Sequence, residues 1–187
     1  DHLLPLGRLR ESIHAKERAN YIIVTKCPTN ISPIETRIIM KHLNLKAYQQ
    51  LLFSSMKYGE IRSLDGNSHH PVTPKTAILC ITGIAQPAPY LEHLKQITDQ
   101  IDHIAFPDHH NYSDTDIKRI LQEYEKISTP DKCIFTTEKD AVRLTLCDIP
   151  EEIRQQIFYI PIEPEFLTPR DQLIKNIYDY VRQDTRK

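Results

Sequence analysis

TAILCITGIAQPAPYLEHLKQITDQIDHIAFPDHHNYSDTDIKRILQEYEKISTPDKCIFTTEKDA, residues 76–141, contains three short apolar runs separated by longer, more polar segments. TAILCIT (76–82), DHIAF (102–106) and KCIFT (132–136) are rich in β-branched and aromatic residues and end in polar or turn-forming ones, which predicts strands. Between the second and third runs, Ile117, Ile120, Leu121, Tyr124 and Ile127 recur behind Ser113 at the spacing of one helix face. IFYIPI (157–162) supplies a further strand. Strands alternating with helices predict an α/β fold, a mainly parallel sheet with helices on both faces in the manner of a Rossmann-like lobe.

Upstream of this stretch, residues 1–19 read as a loop leading into a short basic helix, and NYIIVT (20–25) as a buried strand. A helix is expected from about Ile34 to His42, with Ser32 as its cap, Pro33 in its first turn and Glu35 closing a capping box. Residues 47–64 suggest one or two extended strands, and DGNSHHPVTP (65–74) a loop at a domain boundary. Downstream, a last helix is expected from near Pro169, capped by Thr168 and burying Leu173, Ile174, Ile177, Tyr178 and Val181.

Composition narrows the function. Among 187 residues, 24 Lys and Arg balance 25 Asp and Glu, which argues against non-specific nucleic-acid binding as the main task. The four cysteines (Cys27, Cys80, Cys133, Cys147) form no CxxC pair, so free thiols in a reducing compartment are expected. No apolar run approaches the roughly 18 residues of a membrane span. Only four glycines are present, and none fits GxxxxGK[ST] or GxGxxG, so no complete phosphate cradle of either type is expected. The sequence opens at Asp1 inside a motif-like stretch and reads as a piece of something longer.

Ligands of open parallel sheets bind beyond the carboxyl ends of the strands. Three polar clusters fall on that edge: TGIAQP (82–87), PDHHNYS (107–113) and TTEKDA (136–141). Asp108-His109-His110 is the densest. A loop imidazole is a natural proton acceptor when a carboxylate holds its tautomer, and Asp and His are also metal ligands. A polar turn stands level with these readings on the tripeptide alone. In TTEKDA, a lysine and free amides at a helix start suit a phosphate or a sugar hydroxyl, although a capped helix with a surface Glu/Lys pair explains the same residues. Arg10 beside Glu11 suits phosphate and magnesium, with a solvated charge pair as the default. His69-His70 reads as an exposed loop pair.

Taken in order, these segments resemble the tetraacyldisaccharide 4'-kinase family, the lipid A kinases of Gram-negative bacteria. LLPLGRLRES (3–12) is similar to that family's LLPxGxLRE signature, and NYIIVTK to the strand after it. ITGIAQP is similar to the AGIGNP turn, FPDHHNY to FPDHH, and TTEKDAVRL to TEKDAVK. Ala85 and Gln86 replace the usual glycine and asparagine, and Arg143 replaces lysine.

The resemblance implies ATP and Mg²⁺ as cofactors, a tetraacyldisaccharide 1-phosphate acceptor, and a peripheral place on the cytoplasmic side of the inner membrane. It further implies a phosphate loop and a catalytic aspartate upstream of residue 1, so the 187 residues alone are expected to be inactive. Residues 1–46 would be the remnant of the nucleotide-binding lobe, 47–75 a β-linker and loop, 76–165 the carboxyl-terminal α/β lobe and 166–187 a terminal helix. Arg10 would lie near the β/γ-phosphates and Glu11 in the magnesium shell. His109 would pair with the upstream aspartate to deprotonate the sugar hydroxyl. Asp108, His110, Glu138 and Lys139 are the candidate substrate contacts. Two rival functions follow from the residues alone: a metal-dependent phosphoesterase centred on Asp108-His109-His110, and a non-catalytic lobe binding a sugar or lipid headgroup.

Overall fold

A computed structural model describes residues 9–67 and 72–184; Gly7, Arg8, His69 and His70 lie outside the described residues. Packing divides the chain into two compact units, residues 1–57 with 163–187, and residues 58–162.

In the second unit, β3 (Arg62–Ser63), β4 (Ala77–Thr82), β5 (Ile101–Ala105), β6 (Lys132–Thr137) and β7 (Ile157–Ile160) form one sheet in the order β3-β7-β6-β4-β5. The pairs β4/β5, β4/β6 and β6/β7 are parallel, whereas β3 runs antiparallel to β7, with Arg62 opposite Tyr159. The α/β expectation therefore holds. β3 falls within residues 47–64, which were expected to form one or two extended strands, and it finds its partner in β7.

Every residue of β4 is buried, which explains why it reads as an unbroken apolar run. Ile78 and Cys80 face Tyr90 and Leu94 of α2 (Ala88–Lys95), together with Cys133, Phe135, Phe158 and Ile160. Leu79 and Ile81 face the opposite layer, with Ile117, Ile120 and Tyr124 of α3 (Asp114–Lys126) and Leu144 of α4 (Glu138–Leu144). The helices after β4 and β6 thus cover opposite faces of two adjacent strands, which opens a crevice between those strands at their carboxyl ends. A short helix, α5 (Glu151–Arg154), precedes β7.

Burial pushes the Cys80 and Cys133 thiols up to about 12. Both should stay unlabelled by a thiol reagent at about pH 8 until urea opens the unit, since the thiolate is the reacting species. Labelling of either in the native protein would contradict the two-faced core.

The first unit contains a 3-10 turn (Ile13–Arg18), β1 (Tyr21–Val24), α1 (Pro33–Leu43), β2 (Gln50–Tyr58), β8 (Ile162–Phe166) and α6 (Asp171–Asp184). Its sheet runs β1-β2-β8, with β1 parallel to β2. Ser32 and Glu35 form the expected capping box, and Asn44 ends α1 in the left-handed region at φ 44°. Three expectations change here. β1 is not buried: it lies at the sheet edge and Ile23 is 43% exposed. The Thr168 hydroxyl accepts from Phe53 N instead of capping α6, whose opening bond runs from Ile174 N to Arg170 O. Ile174, Ile177, Tyr178 and Val181 are exposed, and α6 meets its unit through half-buried Leu173 and Asn176, whose amide bonds the Tyr21 hydroxyl. Among the described residues no helix is long and apolar enough to cross a membrane.

Candidate functional site

The carboxyl edge of the β5-β4-β6 layer brings the three polar clusters together, and one side chain joins them. Asp140, in the first turn of α4, is fully buried. Its Oδ2 accepts from Gly83 N at 2.8 Å and from Thr137 Oγ1 at 2.7 Å, and its Oδ1 from Arg143 Nη1 at 3.1 Å. Thr137 also caps α4, accepting from Asp140 N at 3.2 Å. The carboxylate therefore bridges the crevice between the loops after β4 and β6. Gly83 is needed at this crossing, because a Cβ there would stand 2.9 Å from Asp140 Oδ1 and 3.3 Å from the Tyr112 hydroxyl.

Asp140→Ala would strip Gly83 N, Thr137 Oγ1 and the guanidinium of their common acceptor. We expect a loss of about 3 kcal/mol or more in unfolding free energy, since buried donors to a charged group would be left unpaired. Urea unfolding of the chain measures this, and a loss below about 1 kcal/mol would contradict the bridging role.

The loop after β5 is fastened to the same point. His109 N donates to Gly83 O at 3.1 Å, and His109 takes φ 60°, a left-handed conformation uncommon outside glycine. Its ring Nδ1 lies 3.2 Å from Arg143 Nη2, and its Nε2 is 3.7 Å from Asp108 Oδ2. The side chain remains 70% exposed. His109 is thus presented outward on a loop whose backbone and ring are both held.

His110 differs from its neighbour. Its Nε2 lies 3.0 Å from Asp116 Oδ2, and its ring stacks on Phe106 at 4.7 Å between centroids and meets Tyr112 edge-on. Asp116 also closes the α3 capping box with Ser113. The Ser113 hydroxyl, then its backbone amide and His110, hold the Asp116 carboxyl down at about 2. His110 is therefore half-buried within the loop, while Asp108, Glu138 and Lys139 are exposed. Tyr112 has a buried hydroxyl without a well-formed hydrogen bond. Burial first, and then the Asp140 charge, push its titration up, so it stays a phenol.

Arg10 and Glu11 belong to the first unit, and both are exposed. Glu11 pairs with Arg18 at 2.6 Å, a solvated contact of little energetic weight that a stronger ligand would replace at small cost. Among the described residues no three His, Cys, Asp or Glu side chains converge as a metal-holding group. One exposed carboxylate suits a magnesium ion that takes its other ligands from phosphates and water, and the exposed guanidinium beside it suits the phosphates. The two side chains do not suit an all-protein cage. The metal-dependent phosphoesterase gains no support, since His110 is directed to Asp116 rather than to a shared centre with His109.

From sequence, Asp140 stands only as one member of the TTEKDA cluster, and Arg143 only as a replacement for lysine, with no role of its own. Their spacing of three on a helix was a visible signal for a pair, but their contacts to Gly83 and His109 are not local.

Known proteins match this chain over nearly its whole length. The family described as Tetraacyldisaccharide-1-P 4'-kinase matches residues 1–182. A tetraacyldisaccharide 4'-kinase of Bacteroides thetaiotaomicron is 45% identical over 100% of this chain and 52% of its own length. One from Flavobacterium johnsoniae is 34% identical over 98% of this chain and 51% of its own. The chain therefore spans about half the length of the curated relatives it matches. The crystal structure of LpxK from Aquifex aeolicus in complex with ATP superimposes with a TM-score of 0.61 at 19% identity, over 96% of this chain and 48% of that one. At that identity the likeness is one of fold.

Proposed function

Since the chain belongs to the tetraacyldisaccharide 4'-kinase family, we propose that it works as half of a lipid kinase. The reaction is transfer of the ATP γ-phosphate to the 4'-hydroxyl of tetraacyldisaccharide 1-phosphate in lipid A biosynthesis. The observation that carries the reading into chemistry is His109, held at the carboxyl edge of the sheet with an exposed ring. A group that handles a proton must be fixed and must also be reachable, and this one is both.

Phosphoryl transfer depends mainly on positioning and on neutralising charge. The exposed guanidinium of Arg10 contributes charge to the β/γ-phosphates, and the Glu11 carboxylate contributes one oxygen ligand to magnesium. Bound Mg²⁺-ATP supplies the transferred phosphoryl group. His109 acts with an aspartate of the other half of the kinase to remove the proton of the acceptor hydroxyl. Asp108 beside it, and Glu138 and Lys139 on the first turn of α4, are exposed on the same unit and available to the sugar or its phosphate. The acceptor is a lipid, so the enzyme works peripherally at the cytoplasmic face of the inner membrane.

ADP release from Mg²⁺-ATP, followed with and without the acceptor disaccharide, tests this reading. The full-length protein should release ADP only when the lipid is present, and the 187 residues alone should release none. Equal release with and without lipid would make the protein an ATPase. Headgroup binding with no ADP release, and no change on His109→Ala, would make it a binding lobe.

A further inference from the structure

Two paths lead from one buried carboxylate to His109, and together they fix both its backbone and its ring. Along the first, Asp140 Oδ2 holds Gly83 N, and Gly83 O receives His109 N. Along the second, Asp140 Oδ1 holds Arg143 Nη1, and Arg143 Nη2 reaches His109 Nδ1 at 3.2 Å. Arg143 is only 24% exposed and Asp140 not at all, so the guanidinium is anchored at its inner end and offers its outer nitrogen to the ring. A guanidinium has five donors and no acceptor. The ring nitrogen facing it must therefore carry a lone pair, and the proton of neutral His109 sits on Nε2.

We propose that Arg143, anchored by Asp140, is the positioning residue that holds His109 in the Nε2–H tautomer. Its planar fork contacts the buried carboxylate with one nitrogen and the imidazole with the other. His109 then presents an N–H to whatever meets its outer edge. Asp108 Oδ2, 3.7 Å from Nε2, lies on that side within this chain. In the reaction the N–H is directed to the carboxylate that shares the hydroxyl proton, and it orients and holds that carboxylate. The assignment rests on the reading of His109 given under Proposed function. It adds the reason why a cation stands at position 143: a donor-only group there, arginine or lysine, leaves one tautomer, whereas a neutral group without donors leaves two.

Two experiments test it. Ring ¹⁵N spectra of His109 in the 187-residue chain should show Nδ1 unprotonated and Nε2 protonated as a single species. Arg143→Met should give an exchanging mixture of tautomers, and Arg143→Lys should restore the single species. A protonated Nδ1 in the unsubstituted chain, or the same mixture with and without the arginine, would overturn the assignment. If Arg143→Met does not fold, the spectrum of the unsubstituted chain and that of Arg143→Lys still decide.

In the full-length kinase, Arg143→Met should lower kcat about tenfold, the worth of one charge-assisted hydrogen bond, with KM for ATP unchanged. In a His109→Ala background it should cost nothing further. An equal loss in both backgrounds would mean that Arg143 acts independently of His109. If His109→Ala itself has no effect on kcat while the spectra are as expected, the functional reading fails and the tautomer assignment stands.

Discussion

Replacing Arg10 with alanine in the full-length kinase is expected to slow phosphoryl transfer by roughly 10³–10⁵-fold, the range in which arginines that neutralise a transferring phosphoryl group contribute. Arg10 directly precedes Glu11, and both side chains are exposed, so neither role requires a buried group to be uncovered. The effect is electrostatic. Charge develops on the phosphoryl oxygens in the transition state, and a guanidinium placed there stabilises it more than it stabilises the ground state. The loss should therefore appear in kcat and in kcat/KM together. Steady-state kinetics with saturating lipid measure it. A change confined to the apparent affinity for lipid would remove Arg10 from the phosphate site.

The second large effect is expected at His109. His109→Ala should lower kcat by roughly 10²–10⁴, the usual worth of positioned proton transfer, because the carboxylate that takes the hydroxyl proton loses the N–H that holds it. Its fold should survive, because the ring is 70% exposed and only its backbone amide joins the Gly83 turn, a bond that alanine keeps. The left-handed backbone at φ 60° favours histidine modestly over alanine, so a small loss of loop stability is included in the expectation. His110→Ala supplies the contrast. It removes a stacking partner of Phe106 and a hydrogen-bond partner of Asp116, so its effect should appear in the stability of the loop. An unchanged rate in His109→Ala, with protein that unfolds at the same urea concentration, would remove His109 from the chemistry.

The layered sheet of the second unit was legible because its central strands are buried on both faces and α3 carries a clean periodicity, as the run 76–82 and the Ile117-Ile120-Tyr124 stripe show. Burial of single elements was harder to read. Apolar residues in β1 and α6 look like core, yet Ile23, Ile177 and Tyr178 are exposed, since an amphipathic pattern records that a face is apolar and not what covers it. Thr168 has the right chemistry for a helix cap, but a backbone amide 115 residues earlier takes its hydroxyl.

In the site, the motif loops announced themselves as polar clusters at strand ends. Their internal order did not. His109 and His110 are adjacent and chemically identical in sequence, and only the contact of His110 with Asp116 and Phe106 separates a loop-holding histidine from an outward one. The Asp140 bridge joins residues 57 apart and the Arg143–His109 contact residues 34 apart, distances over which composition and spacing carry no information.

The central claim is that this fold serves the phosphorylation of a sugar hydroxyl on a lipid. It is tested most directly by the mass spectrum of the lipid recovered after the full-length protein is incubated with Mg²⁺-ATP and detergent-dispersed tetraacyldisaccharide 1-phosphate. A product heavier by one phosphate is expected, with the new ester on the 4'-oxygen. Lipid recovered unchanged from folded protein would contradict it.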